Sequence, residues 1–246
     1  FTDRIVSVAD AMAAQAIAAG VAPAEKFTTV YSGTRTEWFD PSRYDRAAVR
    51  ASWGVSPQDV VAGTVARLFR NKGYEQLIPA MRRAVDACPS LRFVWVGDGA
   101  QRAEYEAELS RLGLRDRVHL TGLVPPGQVA TMLAGMDLLV HASQWEGLPR
   151  AAVQALLMQV PVVSFDIDGA PEVVRPGETG ELVPLNDTVG LAAAMIRLAQ
   201  DAAMRQRYGA AGRLLCLERF DATRMVEQLE LIYREVLREK GLPAGA

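Results

Sequence analysis

Residues Met136–Val183 read MDLLVHASQWEGLPRAAVQALLMQVPVVSFDIDGAPEVVRPGETGELV. Leu138–Val140 is an apolar run of strand length, followed by the polar turn Ser143-Gln144-Trp145 and the acid Glu146. Ala151, Ala152, Ala155, Leu156 and Met158 fall on one helical face. Pro161 stops that helix, and Val162-Val163-Ser164-Phe165 starts a second strand. Strand, loop, helix, strand is one βαβ unit. Its ligand-facing end is the loop at the carboxyl end of the first strand, where Glu146 sits.

The spacing places Pro149 at the first helical position, where its missing N–H costs nothing. The amides around Gly147, Leu148 and Arg150 then point out of the helix start and offer an anion site. Gly147 lets a ligand come close to the backbone. Glu146 carries a negative charge at the same mouth, which suits sugar hydroxyls and not phosphate. Gln154 follows eight residues later. On a helix that is roughly 12 Å along the axis and about 80° around it, so the two side chains could reach different parts of one elongated ligand.

Upstream, Val60–Val65 reads as a buried strand that Ala66-Arg67-Leu68 leaves, and Asn71-Lys72-Gly73 precedes a helix over Tyr74–Cys88. Arg67 and Lys72 thus stand over one loop. Together they could hold a diphosphate, the arginine as a fork and the lysine as a point charge. Leu91–Val96 is the next strand, and Gly97-Asp98-Gly99 turns out of it without the third glycine of a dinucleotide fingerprint. A helix over Gln101–Leu112, a strand and its exit loop over Val118–Val124 and a short helix over Gln128–Met136 lead back to the central unit. His119 reads as a core or edge residue, and His141, at a strand end, reads as a packed residue before it reads as a ligand contact. Strands near 61, 93, 119, 138, 163 and 182, each with a helix close behind, imply a doubly wound, mostly parallel α/β sheet.

The two ends read differently. Residues 1–8 form a strand, Ala9–Ala19 an alanine-rich helix closed by Gly20, and Phe27–Tyr31 a second strand. Two strands and one helix cannot cover their own faces, so they should belong to a larger sheet outside this chain; a two-strand extension of a single domain is the alternative. Asp40-Pro41-Ser42-Arg43 reads as a linker and Arg46–Trp53 as a short helix. After the central unit, amphipathic helices span Val189–Ala199 and Ala202–Leu217, and Phe220-Asp221 introduces a last helix with Met225, Leu229, Ile232, Tyr233 and Val236 on one face.

Half the residues are hydrophobic, 23% are charged and the net charge is −2, so the chain can bury a full core and gives no electrostatic case for nucleic acid. Cys88 and Cys216 lack a metal spacing, which fits a reducing, cytoplasmic compartment. No apolar run reaches the roughly 18 residues of a spanning helix. No signal peptide is legible, and residue 1 is Phe, so the protein's own start is expected upstream.

These motifs resemble those of the retaining GT-B glycosyltransferases of the GT4-type family (glycosyltransferase group 1). The shared pattern is Glu146, seven residues, a second polar residue, then Pro161-Val162-Val163 and Gly169-Ala170-Pro171-Glu172, together with Arg67-Leu68 and Lys72-Gly73 upstream. The family has Glu where this chain has Gln154, and usually Gly where it has Ala66.

The resemblance implies a Rossmann-like donor-binding domain over 46–221, the tail of an N-terminal acceptor domain and linker over 1–45, and a C-terminal helix and tail over 222–246. Arg67, Lys72 and Glu146 would be catalytic. The donor would be bound by Gly97, Gly99, the backbone of Leu123, Gly147, Leu148, Arg150 and, at the ribose, Gln154. Glu172 would lie by the interdomain cleft or act as a helix-start acid. The final helix would cross to the N-terminal domain and expose part of its apolar face without it.

The implied protein is a bacterial, cytoplasmic enzyme with no cofactor and no metal, Asp166-Ile167-Asp168 being a strand-exit turn. It would move a sugar from a nucleotide sugar, with retention, to a saccharide, lipid-linked or small-molecule acceptor. Alone, the chain would bind donor but transfer poorly, and any peripheral membrane contact would come through the N-terminal domain. The competing readings are another GT-B enzyme (a sugar-nucleotide epimerase or a phosphorylase) and a non-catalytic nucleotide-sugar-binding module.

Overall fold

The computed structural model describes residues 2–243. Phe1, read as the start of the first strand, and the last three residues of the C-terminal tail lie outside the described residues. In chain order the elements are β1 (Ile5–Ser7), α1 (Asp10–Ala18), β2 (Phe27–Thr29), α2 (Arg46–Ser52), β3 (Val60–Val65), α3 (Tyr74–Ala87), β4 (Leu91–Val96), α4 (Arg102–Arg111) and β5 (Val118–Gly122). They continue as α5 (Val129–Ala134), β6 (Leu138–His141), α6 (Arg150–Leu157), β7 (Val162–Phe165), α7 (Ala170–Val173), β8 (Gly180–Val183), α8 (Thr188–Gln200), α9 (Ala202–Arg219) and α10 (Ala222–Glu239).

Strands β3 to β8 form one six-stranded parallel sheet in the order β5-β4-β3-β6-β7-β8. Both faces are covered, which is why its strands read as nearly continuous apolar runs. Successive side chains alternate between two cores. Ala62, Phe93, Trp95, Leu138, Val140 and Val163 face α3 and α8; Val61, Val94, Val96, Leu139 and Val162 face α2, α5, α6 and α9. Aspartates set several helix starts: Asp45, Asp187 and Asp201 accept hydrogen bonds from the amides of Ala48, Gly190 and Met204 at 2.8–3.0 Å.

The chain reverses its winding between β3 and β6. Their pairing covers only Ala62–Leu138 and Gly63–Leu139, after which the Thr64 hydroxyl donates to the Val140 carbonyl at 3.2 Å. In an open α/β sheet the crevice at the carboxyl ends of two such strands is where a ligand fits.

Strands β1 and β2 pair with each other in a separate parallel sheet. This segment nevertheless packs on the large domain. Ala9 and Phe39 are buried in the second core, and Tyr31 meets Phe220 edge-on at 5.3 Å. Thr34 exchanges backbone hydrogen bonds with Phe220 and Ala222 at 2.8 and 3.0 Å. Helix α10 lies along β1, held by the ion pairs Arg4–Glu239 and Lys240–Asp3. No residue of α10 is buried; of the apolar face read from sequence Tyr233 is exposed while Met225, Leu229, Ile232 and Val236 are half-buried, and Val226 and Leu231, outside that face, are exposed. Among the described residues no helix is long and apolar enough to cross a membrane.

Candidate donor site

Three loops converge at the carboxyl ends of β3, β6 and β7. The β3–α3 loop ends in a short turn over Arg70–Lys72 and then Gly73, whose φ of 71° is left-handed. A Cβ at Gly73 would collide with the Ala142 carbonyl oxygen, so glycine lets this loop abut the exit of β6. Gln144 N donates to Asn71 O at 3.0 Å and stitches the two loops together. Across this seam Lys72 Nζ forms an ion pair with Glu146 Oε1, both side chains being mostly buried.

His141, the last residue of β6, is buried with Nε2 3.6 Å from the same Glu146 oxygen. Burial pushes its imidazole down to about 4; Lys72 pushes the same way and Glu146 opposes. His141 is therefore neutral at pH 7. Its Nε2 and the buried Ser143 hydroxyl have no hydrogen-bond partner among the described residues. His141 is thus buried, in keeping with its reading as a packed residue, yet it brings an unpartnered polar atom close to the Lys72–Glu146 pair.

Arg67 is exposed, with its guanidinium 4.6 Å above the Phe69 ring, and it forms no ion pair among the described residues. The structure brings Lys72 and Glu146 into contact and leaves Arg67 on the same loop, touching neither. Gly97 and Gly99 lie where the exit of β4 passes the carbonyls of Ala66 and Leu68, and Leu123, beyond the end of β5, is 76% exposed. His119 is a half-buried residue of the edge strand β5, with its ring tilted against Trp53 at 6.3 Å.

Helix α6 departs from expectation at its start. Pro149 is the N-cap (φ −72°, ψ 88°) and not the first helical residue; its carbonyl accepts from Ala152 N and Val153 N at 3.0 and 3.2 Å. The cap position also needs no N–H, so proline is equally tolerated there. Glu146 consequently lies on the loop, outside the helix, and the eight-residue helical spacing to Gln154 does not hold. Among the described residues no acceptor takes the amides of Gly147, Leu148 or Arg150. Leu148 is buried, Arg150 is exposed and Gln154 is half-buried.

The β7–α7 loop holds two contacts that sequence reasoning missed. Asp168 accepts from Glu146 N at 2.8 Å and from Gln15 Nε2 at 3.0 Å. Both its carboxylate oxygens are engaged, so the Asp166-Ile167-Asp168 turn is part of the framework. Glu172 accepts from the amides of Asp10 and Ala11 at 3.0 Å each, capping the start of α1. The sequence signal for Glu172 was its place at a helix start; nothing local pointed to α1.

A cavity of about 500 Å³ lies elsewhere, at the amino end of β3. Its arginines are already committed. Arg50 donates to the carbonyls of Gly135, Ser56 and Asp59 and to Asp137, and Arg46 to Ala134, Met136 and Asp137. It is a packing cleft, at the end of the sheet opposite the Lys72–Glu146 pair.

With that geometry in hand, residues 45–215 match the family described as glycosyl transferases group 1. The chain belongs to that family. Among group 1 relatives it is 30% identical over 191 residues to the alpha-D-kanosaminyltransferase of Streptomyces kanamyceticus, covering 78% of this chain and 49% of that protein. It is 27% identical to the N-acetyl-alpha-D-glucosaminyl L-malate synthase of Bacillus anthracis, covering 89% and 56%. Anabaena HepE, solved in complex with UDP-glucose, superposes with a TM-score of 0.87 at 26% identity, covering 96% of this chain and 64% of that one. The chain spans about half the length of the curated relatives it matches. The group 1 assignment accounts for the GT-B, Rossmann-like sheet.

Proposed function

We propose that this chain forms the donor half of a retaining glycosyltransferase. The supporting observation is the Lys72–Glu146 pair in the crevice between β3 and β6, beside a neutral His141. A lysine ammonium has three donors, so Lys72 can keep Glu146 and still reach a phosphate oxygen. Arg67, exposed on the same loop, swings from Phe69 to the diphosphate. As the bond from the anomeric carbon to the diphosphate oxygen breaks, charge grows on the leaving group. Lys72, Arg67 and the free amides of Gly147, Leu148 and Arg150 stabilise it electrostatically, without a metal or cofactor. Glu146 reads sugar hydroxyls, Gln154 the ribose, and Gly97, Gly99 and the Leu123 backbone border the base.

In this reading residues 1–45 close an acceptor-binding half, 46–221 bind donor, and 222–246 cross between the halves. The acceptor site lies mostly on the other half, so the chain alone binds donor and transfers poorly. Calorimetry with UDP and UDP-glucose, the latter chosen because HepE was solved with it, followed by a panel of other nucleotide sugars, tests this. Saturable binding that Lys72→Ala weakens is expected; no binding to any member of the panel overturns it. Gln154 favours one second reading, a non-catalytic binding module, which fails if the full-length protein turns over donor.

A further inference from the structure

Asp168 and Gln15 are 153 residues apart in sequence, yet they meet directly behind Glu146. One Asp168 oxygen accepts from the Glu146 amide at 2.8 Å and the other from the Gln15 side chain on α1 at 3.0 Å. Asp168 does this with φ 43°, in the left-handed region that non-glycine residues rarely adopt. The next amide, Gly169 N, donates to Gly147 O at 3.2 Å. The β7–α7 loop therefore grips the Glu146-Gly147 segment on both sides. Glu172, on α7 just beyond that loop, holds the first amides of α1. The side of Gly147 on which a Cβ would stand is filled by Met12 and Val8, so the seat of α1 and the seat of Glu146 are one structure.

We infer that Asp168 is a positioning residue for Glu146 and couples its orientation to helix α1. This rests on the reading of Glu146 as the acid that meets the donor sugar. Lys72 pulls the Glu146 carboxylate toward the β3 loop, and Asp168 anchors its backbone from the other side. With both ends fixed, the carboxylate presents one orientation to a sugar. With the backbone anchor gone, the peptide turns with the pull of Lys72, and sugar discrimination falls while the phosphate contacts remain.

Three substitutions separate the parts. Asp168→Gly removes both hydrogen bonds and is at home at φ 43°. Asp168→Asn keeps both, its oxygen taking the Glu146 amide and its NH2 a turned-over Gln15 carbonyl. Gln15→Ala cuts only the link to α1. Each variant is titrated with UDP and with UDP-glucose, and amide hydrogen exchange at Glu146 is measured without ligand. Asp168→Gly should lose about tenfold in UDP-glucose affinity with UDP affinity held within about twofold. Its Glu146 amide should exchange about tenfold faster. Gln15→Ala should lose about threefold in the same ratio, and Asp168→Asn should recover most of the loss.

Equal weakening toward both nucleotides, or an unchanged Glu146 amide, overturns the positioning role, since a general loss of stability would not separate sugar from phosphate. A wild-type protein that binds neither of these nor any other nucleotide sugar of the panel overturns the donor-site reading instead, and the exchange measurement then decides the positioning role alone.

Discussion

Lys72 and Glu146, 74 residues apart in sequence, close an ion pair across the seam between the β3 and β6 loops. On the proposed donor-site reading the pair reconciles two demands that conflict at one site. A carboxylate suited to sugar hydroxyls repels the diphosphate that the sugar leaves. With Lys72 between them, Glu146 is partly neutralised before the ligand arrives. The neutral imidazole of His141 behind the pair adds polar reach without adding charge.

Replacing Lys72 by Ala should therefore weaken UDP binding about tenfold or more at low salt while changing uridine binding by less than about twofold. The substitution also strands Glu146, a side chain 20% exposed in the ion pair, and should lower stability by about 1–3 kcal/mol. Calorimetry with the two ligands and urea unfolding check both parts. Equal losses for UDP and uridine would remove the phosphate role.

Gly73 tests whether the two loops must touch. Its φ is 71° and any Cβ collides with the Ala142 carbonyl, whereas Gly113, with φ 66°, has open space around it. Gly113→Ala should cost only the left-handed penalty, about 1–2 kcal/mol. Gly73→Ala should cost about 2–4 kcal/mol and weaken UDP binding as the seam opens. Urea midpoints that match for the two variants would mean that the loop contact contributes nothing.

The main sheet was legible because its strands are buried on both faces. Runs such as Val60–Val65 and Leu91–Val96 need no partner to be recognised, and the helices between them impose parallel winding. Lys72 and Glu146 were legible as residue types at loop positions. Their contact was not, because distance across a seam has no trace in sequence order. Glu146 and Gln154 were misjudged for a related reason: the helix starts at Arg150, and only then does a helical spacing apply. Asp168 looked like half of an acidic pair, and its partners, the Glu146 amide and Gln15, come from elements that only folding brings together.

His141 makes stability depend on pH. Its folded value, about 4, lies below the ordinary histidine value of 6.5 because burial disfavours the cation. The unfolded chain thus takes up a proton that the folded chain refuses. The stabilisation is complete above about pH 6.5 and is lost as pH falls toward 4, with a slope of at most about 1.4 kcal/mol per pH unit. Urea unfolding of wild type and His141→Gln at pH 7 and pH 5 isolates this residue, since every other group titrates in both. The wild type should lose about 1–2 kcal/mol more than the variant over that interval, and parallel losses would show that His141 accepts its proton in place.

In the proposed reading Gln154 bears on how tightly the ribose is held. An amide can accept from one ribose hydroxyl and donate to the other, whereas a carboxylate accepts from both with charge assistance. Gln154 is half-buried on the first turns of α6, and among the described residues its side chain has no hydrogen-bond partner that a substitution would break. Gln154→Glu should therefore raise UDP affinity by about 1–2 kcal/mol, five- to thirtyfold, with little change in unfolding midpoint. The gain should vanish with the 2′,3′-dideoxy form of UDP, which has no ribose hydroxyl to donate. Calorimetry with both nucleotides reads this directly. A gain that persists without the hydroxyls would place Gln154 against some other part of the ligand, and a loss of UDP affinity would show that the added charge is felt by the phosphates first.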